Sequence, residues 1–139
     1  MRDVLTARWT DVGDKLVALA EDFPEDRFDF RPSDGTRSFG EQLRHVAFWN
    51  DYAHDALRGL PLDGEANELP ASRYATKPQI VAALRASVAR VTTALGDEAR
   101  APRDSDHETM VSFIEHNGEH YGQLVMYYRL NGLVPPASR

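Results

Sequence analysis

Four segments of this chain carry apolar side chains at steps of three and four residues. Such steps place the apolar side chains on one face of an α-helix, so each segment predicts an amphipathic helix with one face to bury. We find no segment with the alternation of apolar and polar residues that is typical of a strand. The predicted helices cover residues 2–23, 39–58, 76–96 and about 105–131.

Capping residues and helix breakers mark the ends of these helices. A Ser or Thr followed three residues later by Glu or Gln predicts a capping box at Ser38–Glu41, Thr76–Gln79 and Ser105–Glu108. Glycine and proline mark where the helices end. These residues are Pro24, Gly59, Gly96 and Gly132.

The four helices predict an all-α protein, a four-helix bundle formed by a single domain over residues 1–139. A chain of 139 residues, of which 42% are hydrophobic, is long enough to bury a core of its own. The connections after helices 1 and 2 are long, at roughly 14 to 18 residues. Two possibilities stay open for them: a crossover between helices, or loops that cover one end of the bundle.

Charge and hydropathy narrow the range of partners. The net charge is −6 and no cluster of Lys and Arg follows one helix face, so we expect no nucleic-acid partner. No apolar stretch is long enough to span a membrane. The first residues carry charges where a signal peptide would need an apolar run, which favours a cytoplasmic protein. We expect a small-molecule substrate, and exposed apolar helix edges would allow a homodimer.

The chain contains no cysteine. This excludes disulfide bonds and zinc sites built from thiolates. It also excludes a protein thiol as the nucleophile of a reaction. Any thiol chemistry would therefore need a thiol supplied from outside the protein.

The pair of residues that most suggests a chemical site is His116 and His120. Four positions apart on a helix, they lie on one face, which is a spacing that suits two nitrogen ligands to one divalent metal ion. His45, near the edge of the apolar stripe of the second helix, can complete the set. His54 and His107 are about half a turn out of phase with the others, and we expect them at the surface or in helix caps.

Two interpretations of these histidines stay open on the residues alone. An inward-facing histidine is often a hydrogen-bonded core residue, whereas a metal ion satisfies three imidazole nitrogens at once. The run from His116 to His120 also fits the His-x-x-Glu-His pattern of one class of metalloproteases. That class needs a further acidic ligand downstream, and no Asp or Glu follows His120. Peptidase activity is therefore not expected.

Three motifs stand in order along the chain, within helices of matching length. They are Arg37-Ser-Phe-Gly-Glu-Gln-Leu-Arg-His45, His116-x-x-x-His120-x-Gly122-Gln123 and Tyr128-x-Leu130-x-Gly132-Leu-Val-Pro-Pro136. Together they resemble the DinB-like (damage-inducible) superfamily of bacterial metal-binding four-helix bundles, over nearly the whole chain. The sequence departs from the usual pattern at Glu119 and Tyr121, where that superfamily often has His and Arg.

The resemblance implies that His45, His116 and His120 bind a divalent metal ion, with zinc or nickel favoured and iron or manganese as alternatives. Members of the superfamily include thiol S-transferases and a mycothiol-dependent maleylpyruvate isomerase. The resemblance therefore implies a metal-dependent transferase or isomerase that uses a low-molecular-weight thiol. The alternative is a non-catalytic metal-binding stress-response protein, so whether the chain is an enzyme stays open.

Several residues near these ligands have two possible roles. Gln123, seven residues after His116, is a candidate to support a ligand or orient a substrate, or it serves helix packing alone. Glu41 can add a carboxylate to the site, but its role in the capping box competes. The aromatic residues of the same helices either line a pocket or belong to the core. They are Trp49, Tyr52 and Tyr127.

Overall fold

Four α-helices make up most of the fold. The computed structural model describes residues 2–139, and Met1, the first residue of the predicted domain, lies outside that range. The helices are α1 (Arg2–Asp22), α2 (Phe39–Arg58), α3 (Lys77–Gly96) and α4 (Asp104–Leu130), with short 3₁₀ helices at Glu25–Arg27 and Pro136–Ser138. No strand occurs within residues 2–139, so the prediction of an all-α fold is confirmed. None of the described helices is long and apolar enough to cross a membrane.

The ends of α2 follow directly from its sequence. The Ser38 hydroxyl accepts the backbone N–H of Glu41, and the Glu41 carboxylate accepts the backbone N–H of Ser38 at 2.7 Å, which confirms the predicted capping box. At the other end Gly59 adopts a φ of 69°, a left-handed conformation that carries no steric cost for glycine. A second capping box, between Thr76 and Gln79, begins α3 as predicted.

The start of α4 differs from the prediction. The capping box at Ser105–Glu108 is wrong, because the helix already begins at Asp104. The Asp106 carboxylate instead accepts the backbone N–H of Arg103 at 3.0 Å and pairs with Arg100 at 2.6 Å. A carboxylate is a stronger acceptor than a hydroxyl for the free N–H groups of a helix start, and the helix dipole favours its negative charge there.

The helices form a bundle in which successive helices are not always neighbours. Helix α2 packs against α3 and α4, and α1 packs against the same two helices. Because α1 and α2 each lie between the same pair, they are placed diagonally across the bundle. The connection over residues 23–38 is therefore a crossover, one of the two possibilities that its length left open.

Two apolar clusters fill the bundle, one towards each end. The larger contains the stacked rings of Phe23 and Phe39, with centroids 3.8 Å apart. The smaller surrounds Trp9, whose indole N–H donates to the carbonyl of Val88 at 3.1 Å. Between the two clusters lies a buried polar layer with one residue from each of three helices. Its members are Asn50 of α2, Ser87 of α3 and Asn117 of α4.

Candidate metal centre

Helices α2 and α4 bring three histidines together where they pack against each other. His45 lies on α2, and His116 and His120 lie one turn apart on α4. One ring nitrogen of each lies within 4.8 Å of those of the other two. The structure thus gathers the three histidines that helical phase singles out. It leaves His54 half-buried elsewhere on α2 and His107 exposed.

The distances between the rings suit a shared metal ion. The Nε2 atoms of His45 and His116 are 3.2 Å apart. Two nitrogens at a tetrahedral angle, each about 2.0–2.1 Å from zinc, would be separated by about 3.3 Å. The His120 ring completes the group, with its centroid 4.7 Å from that of His45 and 4.4 Å from that of His116.

Hydrogen bonds at Nδ1 orient two of the three rings. His45 Nδ1 donates to the backbone carbonyl of Asn67 at 2.7 Å, since a carbonyl can only accept. His120 Nδ1 donates to the Oε1 atom of Gln42 at 2.6 Å. With the proton on Nδ1, each Nε2 keeps its lone pair. Outer hydrogen bonds of this kind fix the tautomer and direction of histidines that bind metals.

The partner of His45 comes from the connection between α2 and α3. Asn67 has a φ of 58°, a left-handed conformation that asparagine tolerates better than most residues. Its side-chain oxygen accepts the indole N–H of Trp49 at 2.8 Å. The loop is thereby tied back to α2, one turn after His45, and its carbonyl is held against the imidazole.

Burial keeps the three imidazoles neutral. It lowers the pKa of His45 to about 4 and that of His120 to about 3. For His116 burial also lowers the pKa, against opposing effects of Asn117 and Glu119. Near pH 7 the rings are therefore uncharged, which is the form that binds a metal ion.

Gln42 connects His120 to a wider polar network. Its amide nitrogen donates to Oε1 of Gln123 at 2.7 Å and to the Tyr127 hydroxyl at 3.3 Å. The Tyr127 hydroxyl in turn donates to the backbone carbonyl of Arg37 at 2.5 Å. These donations leave the Gln42 oxygen facing His120. Gln123 therefore supports a histidine through Gln42 rather than only packing between helices.

A polar depression opens beside Gln42 and Gln123, and Arg37 and Glu68 also line it. Glu41, the second carboxylate that lines the depression, caps α2 and is paired with Arg31 through both of its oxygens. The Arg31 guanidinium holds the pKa of Glu41 below its usual value. Glu41 is thus committed to these partners and is absent from the histidine group. None of the three histidines lines the depression, which reaches the group only as far as Gln42, the acceptor of the His120 Nδ1–H.

Aromatic side chains cover another side of the group. The ring centroids of Trp49 and Phe113 lie 6.3 Å and 6.2 Å from that of His116, and the Tyr52 ring lies tilted against both, at 4.9 Å and 6.0 Å. All three are only partly buried. Tyr127, by contrast, lies in the larger core cluster. The site therefore has one polar and one aromatic flank.

Comparison with known proteins identifies the family of the chain. A model of the DinB superfamily matches residues 8–124, so the chain belongs to this superfamily. The search of curated proteins found no match. Superfamily membership and the three-histidine cluster together suggest metal binding.

Two supporting residues were not singled out from the sequence. Gln42 stands three positions before His45 on α2, so helical phase alone would have placed it on the same face. Asn67 carries no such signal, because the position of a loop carbonyl depends on how an 18-residue connection folds back. Its contact with His45 could be found only in the structure.

Proposed function

We propose that His45, His116 and His120 bind one divalent metal ion, with zinc or nickel favoured. The observation that carries this proposal is the convergence of three neutral imidazoles, two of which have their Nδ1 atoms already paired. Nitrogen ligands of this kind suit zinc, nickel, copper and iron. An alternative role as ordinary core residues would not require three rings to direct nitrogens at one point.

We further propose that the protein is a metal-dependent transferase or isomerase that uses a low-molecular-weight thiol. Three protein ligands leave a coordination position for water or substrate, as in catalytic sites. A bound ion would supply Lewis acidity, which lowers the pKa of a bound water or thiol. The chain has no cysteine, so the thiol must come from outside the protein.

The burial of the site favours one alternative, a non-catalytic metal-binding stress-response protein. His45 and His120 are only 7% and 8% exposed, which suits retention of an ion as well as catalysis. Turnover with a thiol separates the two proposals. A loaded protein that consumes no thiol with any of a panel of electrophiles would favour retention.

The first test is elemental analysis of protein purified without an affinity tag. We expect about one divalent ion per chain in the wild type, and a loss of most of it when His116 and His120 are both changed to Ala. A variant with His54→Ala and His107→Ala is the matched control, because these residues lie outside the cluster. Equal metal content in all three proteins would show that the ligands are wrongly assigned.

A further inference from the structure

The side of α4 that faces away from α1 and α2 carries large apolar side chains exposed to solvent. Val111 and Met126 are 46% and 55% exposed, and Leu130, at the edge of this side, is 57% exposed. Single exposed apolar residues are ordinary on a protein surface, whereas several on one helix face are typical of a contact surface. Helical phase defines the outer face of α4 by six exposed residues. They are Val111, Glu115, Gly118, Gly122, Met126 and Arg129.

Two glycines lie in the middle of the outer face. Gly118 and Gly122 are one turn apart, and a Cβ atom at either position would meet nothing within 4 Å. Glycine in the interior of a helix costs stability relative to alanine, and the packing of the described chain gives no reason for it here. A second helix crossing at this point gives one, because the missing side chains let two helix backbones approach closely.

The outer face also carries two charges that are free to bind a partner. Glu115 and Arg129 are both exposed, and neither makes an ion pair within residues 2–139. Glu115 lies seven residues before Gly122, and Arg129 lies seven residues after it. The two charges are therefore opposite in sign and placed symmetrically about the second glycine.

This symmetry is what pairing with an identical helix requires. When two copies of α4 cross antiparallel on a two-fold axis at Gly122, positions equally far before and after it face each other. Glu115 of each copy then meets Arg129 of the other. Met126, four residues after the axis, meets the gap left by Gly118, four residues before it. A parallel pair would instead place like charges together.

We propose that the outer face of α4 binds a second copy of the chain as an antiparallel helix pair, with the two-fold axis at Gly122. The histidines lie where α4 packs against α2, so this inference does not depend on the metal site. One pair of crossing helices is a small interface beside the about 1,200–2,000 Å² of total area that stable complexes bury. We therefore expect a dimer that dissociates on dilution.

Charge reversal tests the pairing, with the dissociation constant of the dimer measured by analytical ultracentrifugation of the full chain. Glu115→Arg and Arg129→Glu should each raise this constant about 10- to 100-fold, because each places like charges opposite one another twice in the dimer. The variant with both changes should recover the wild-type constant. Since Glu115→Arg brings the negative net charge closer to zero, general repulsion between chains predicts the opposite, a tighter dimer.

A cysteine placed on the axis gives a second readout, which uses the absence of cysteine from the chain. In Gly122→Cys each thiol lies beside its own copy, so a disulfide should join the two chains in a glutathione redox buffer. Gly96→Cys is the matched control, because Gly96 also lies in a helix with nothing within 4 Å of its Cβ position, but on α3. We expect Gly122→Cys to cross-link about 10-fold faster or more, since the dimer raises the effective thiol concentration.

The outcomes distinguish this inference from the proposed function. A wild type that stays monomeric at every concentration would overturn the inference, whatever its metal content, and would leave the outer face to a different partner. A dimer that charge reversal does not weaken, or equal cross-linking of the two cysteine variants, would show that the contact lies elsewhere. A dimer that behaves as expected but holds no metal would support this inference while the proposed function fails.

Discussion

Gln42 is the single residue that joins the most parts of the candidate metal centre. Its oxygen accepts from His120, and its nitrogen donates to Gln123 and Tyr127. It is 5% exposed, so water cannot easily replace these bonds. A buried amide with three such partners fixes the direction of the His120 ring.

Replacing Gln42 with Ala should therefore weaken zinc binding about 10- to 100-fold, because His120 would lose the acceptor that holds its Nδ1–H. Competition against a coloured chelator would measure the dissociation constant. Gln79→Ala is a suitable control, since Gln79 caps α3 and has no contact with the histidines. An unchanged dissociation constant for the Gln42 variant would contradict the role assigned to it.

Helical phase was enough to select the three histidines from five. It depends only on sequence separation, and α2 and α4 are regular through the positions concerned. The hydrogen-bond partners were harder to anticipate. Asn67 reaches His45 from the loop between α2 and α3, and such a contact leaves no periodic signal in the sequence.

At the scale of elements, the start of α4 shows how ion pairs can override a short motif. The Asp106 carboxylate binds Arg100 and Arg103, and Arg103 also donates to the carbonyl of Leu57 at the end of α2. A serine cap at Ser105 offers none of these contacts. The motif Ser105–Glu108 therefore gave the wrong start, whereas Ser38 and Thr76, with no competing carboxylate, gave the right ones.

Asp106→Asn should lower the free energy of unfolding at pH 7 by about 1.5–3 kcal/mol, the range for hydrogen bonds to charged groups. Burial alone would raise the pKa of Asp106. The Arg103 backbone N–H and the Arg100 and Arg103 side chains outweigh it and hold the pKa below the ordinary value of 3.8.

The sign of the pH dependence follows from that lowered pKa. Below about pH 3.8 the unfolded chain binds the proton first, so the stabilisation is present above this pH and is lost as the pH falls through the lower pKa of the folded state. Urea unfolding of the wild type and of Asp106→Asn would measure this. The difference between their free energies of unfolding should be smaller near pH 3 than at pH 7. A difference that stays constant with pH would contradict the charged role of Asp106.

At the scale of the whole molecule, the sequence predicted four helices and two long connections but not their arrangement in space. Connection lengths permit several topologies, and only packing between helices decides among them. In the structure α1 and α2 are diagonal, and the connection over residues 59–76 supplies Asn67 to the histidine group. The long loops are thus part of how the site is built.

Zinc should stabilise the whole fold. An ion that binds only the folded protein raises the free energy of unfolding by about 2.7 kcal/mol at a concentration 100 times its dissociation constant. Chemical denaturation with and without zinc would measure this shift. The variant with both His116 and His120 changed to Ala should show no shift. An equal shift in that variant would place the stabilising ion elsewhere.

Because the histidines lie on both α2 and α4, a bound ion would join these two helices. His45 and His116 are 71 residues apart in sequence, so an ion bound to both would be a removable cross-link between α2 and α4. Disulfides close such loops in other small proteins, but this chain has no cysteine. A chelator would remove the metal cross-link, whereas a reductant would not. The stability that this cross-link adds would depend on the concentration of metal ion around the protein and not on the redox state of its surroundings.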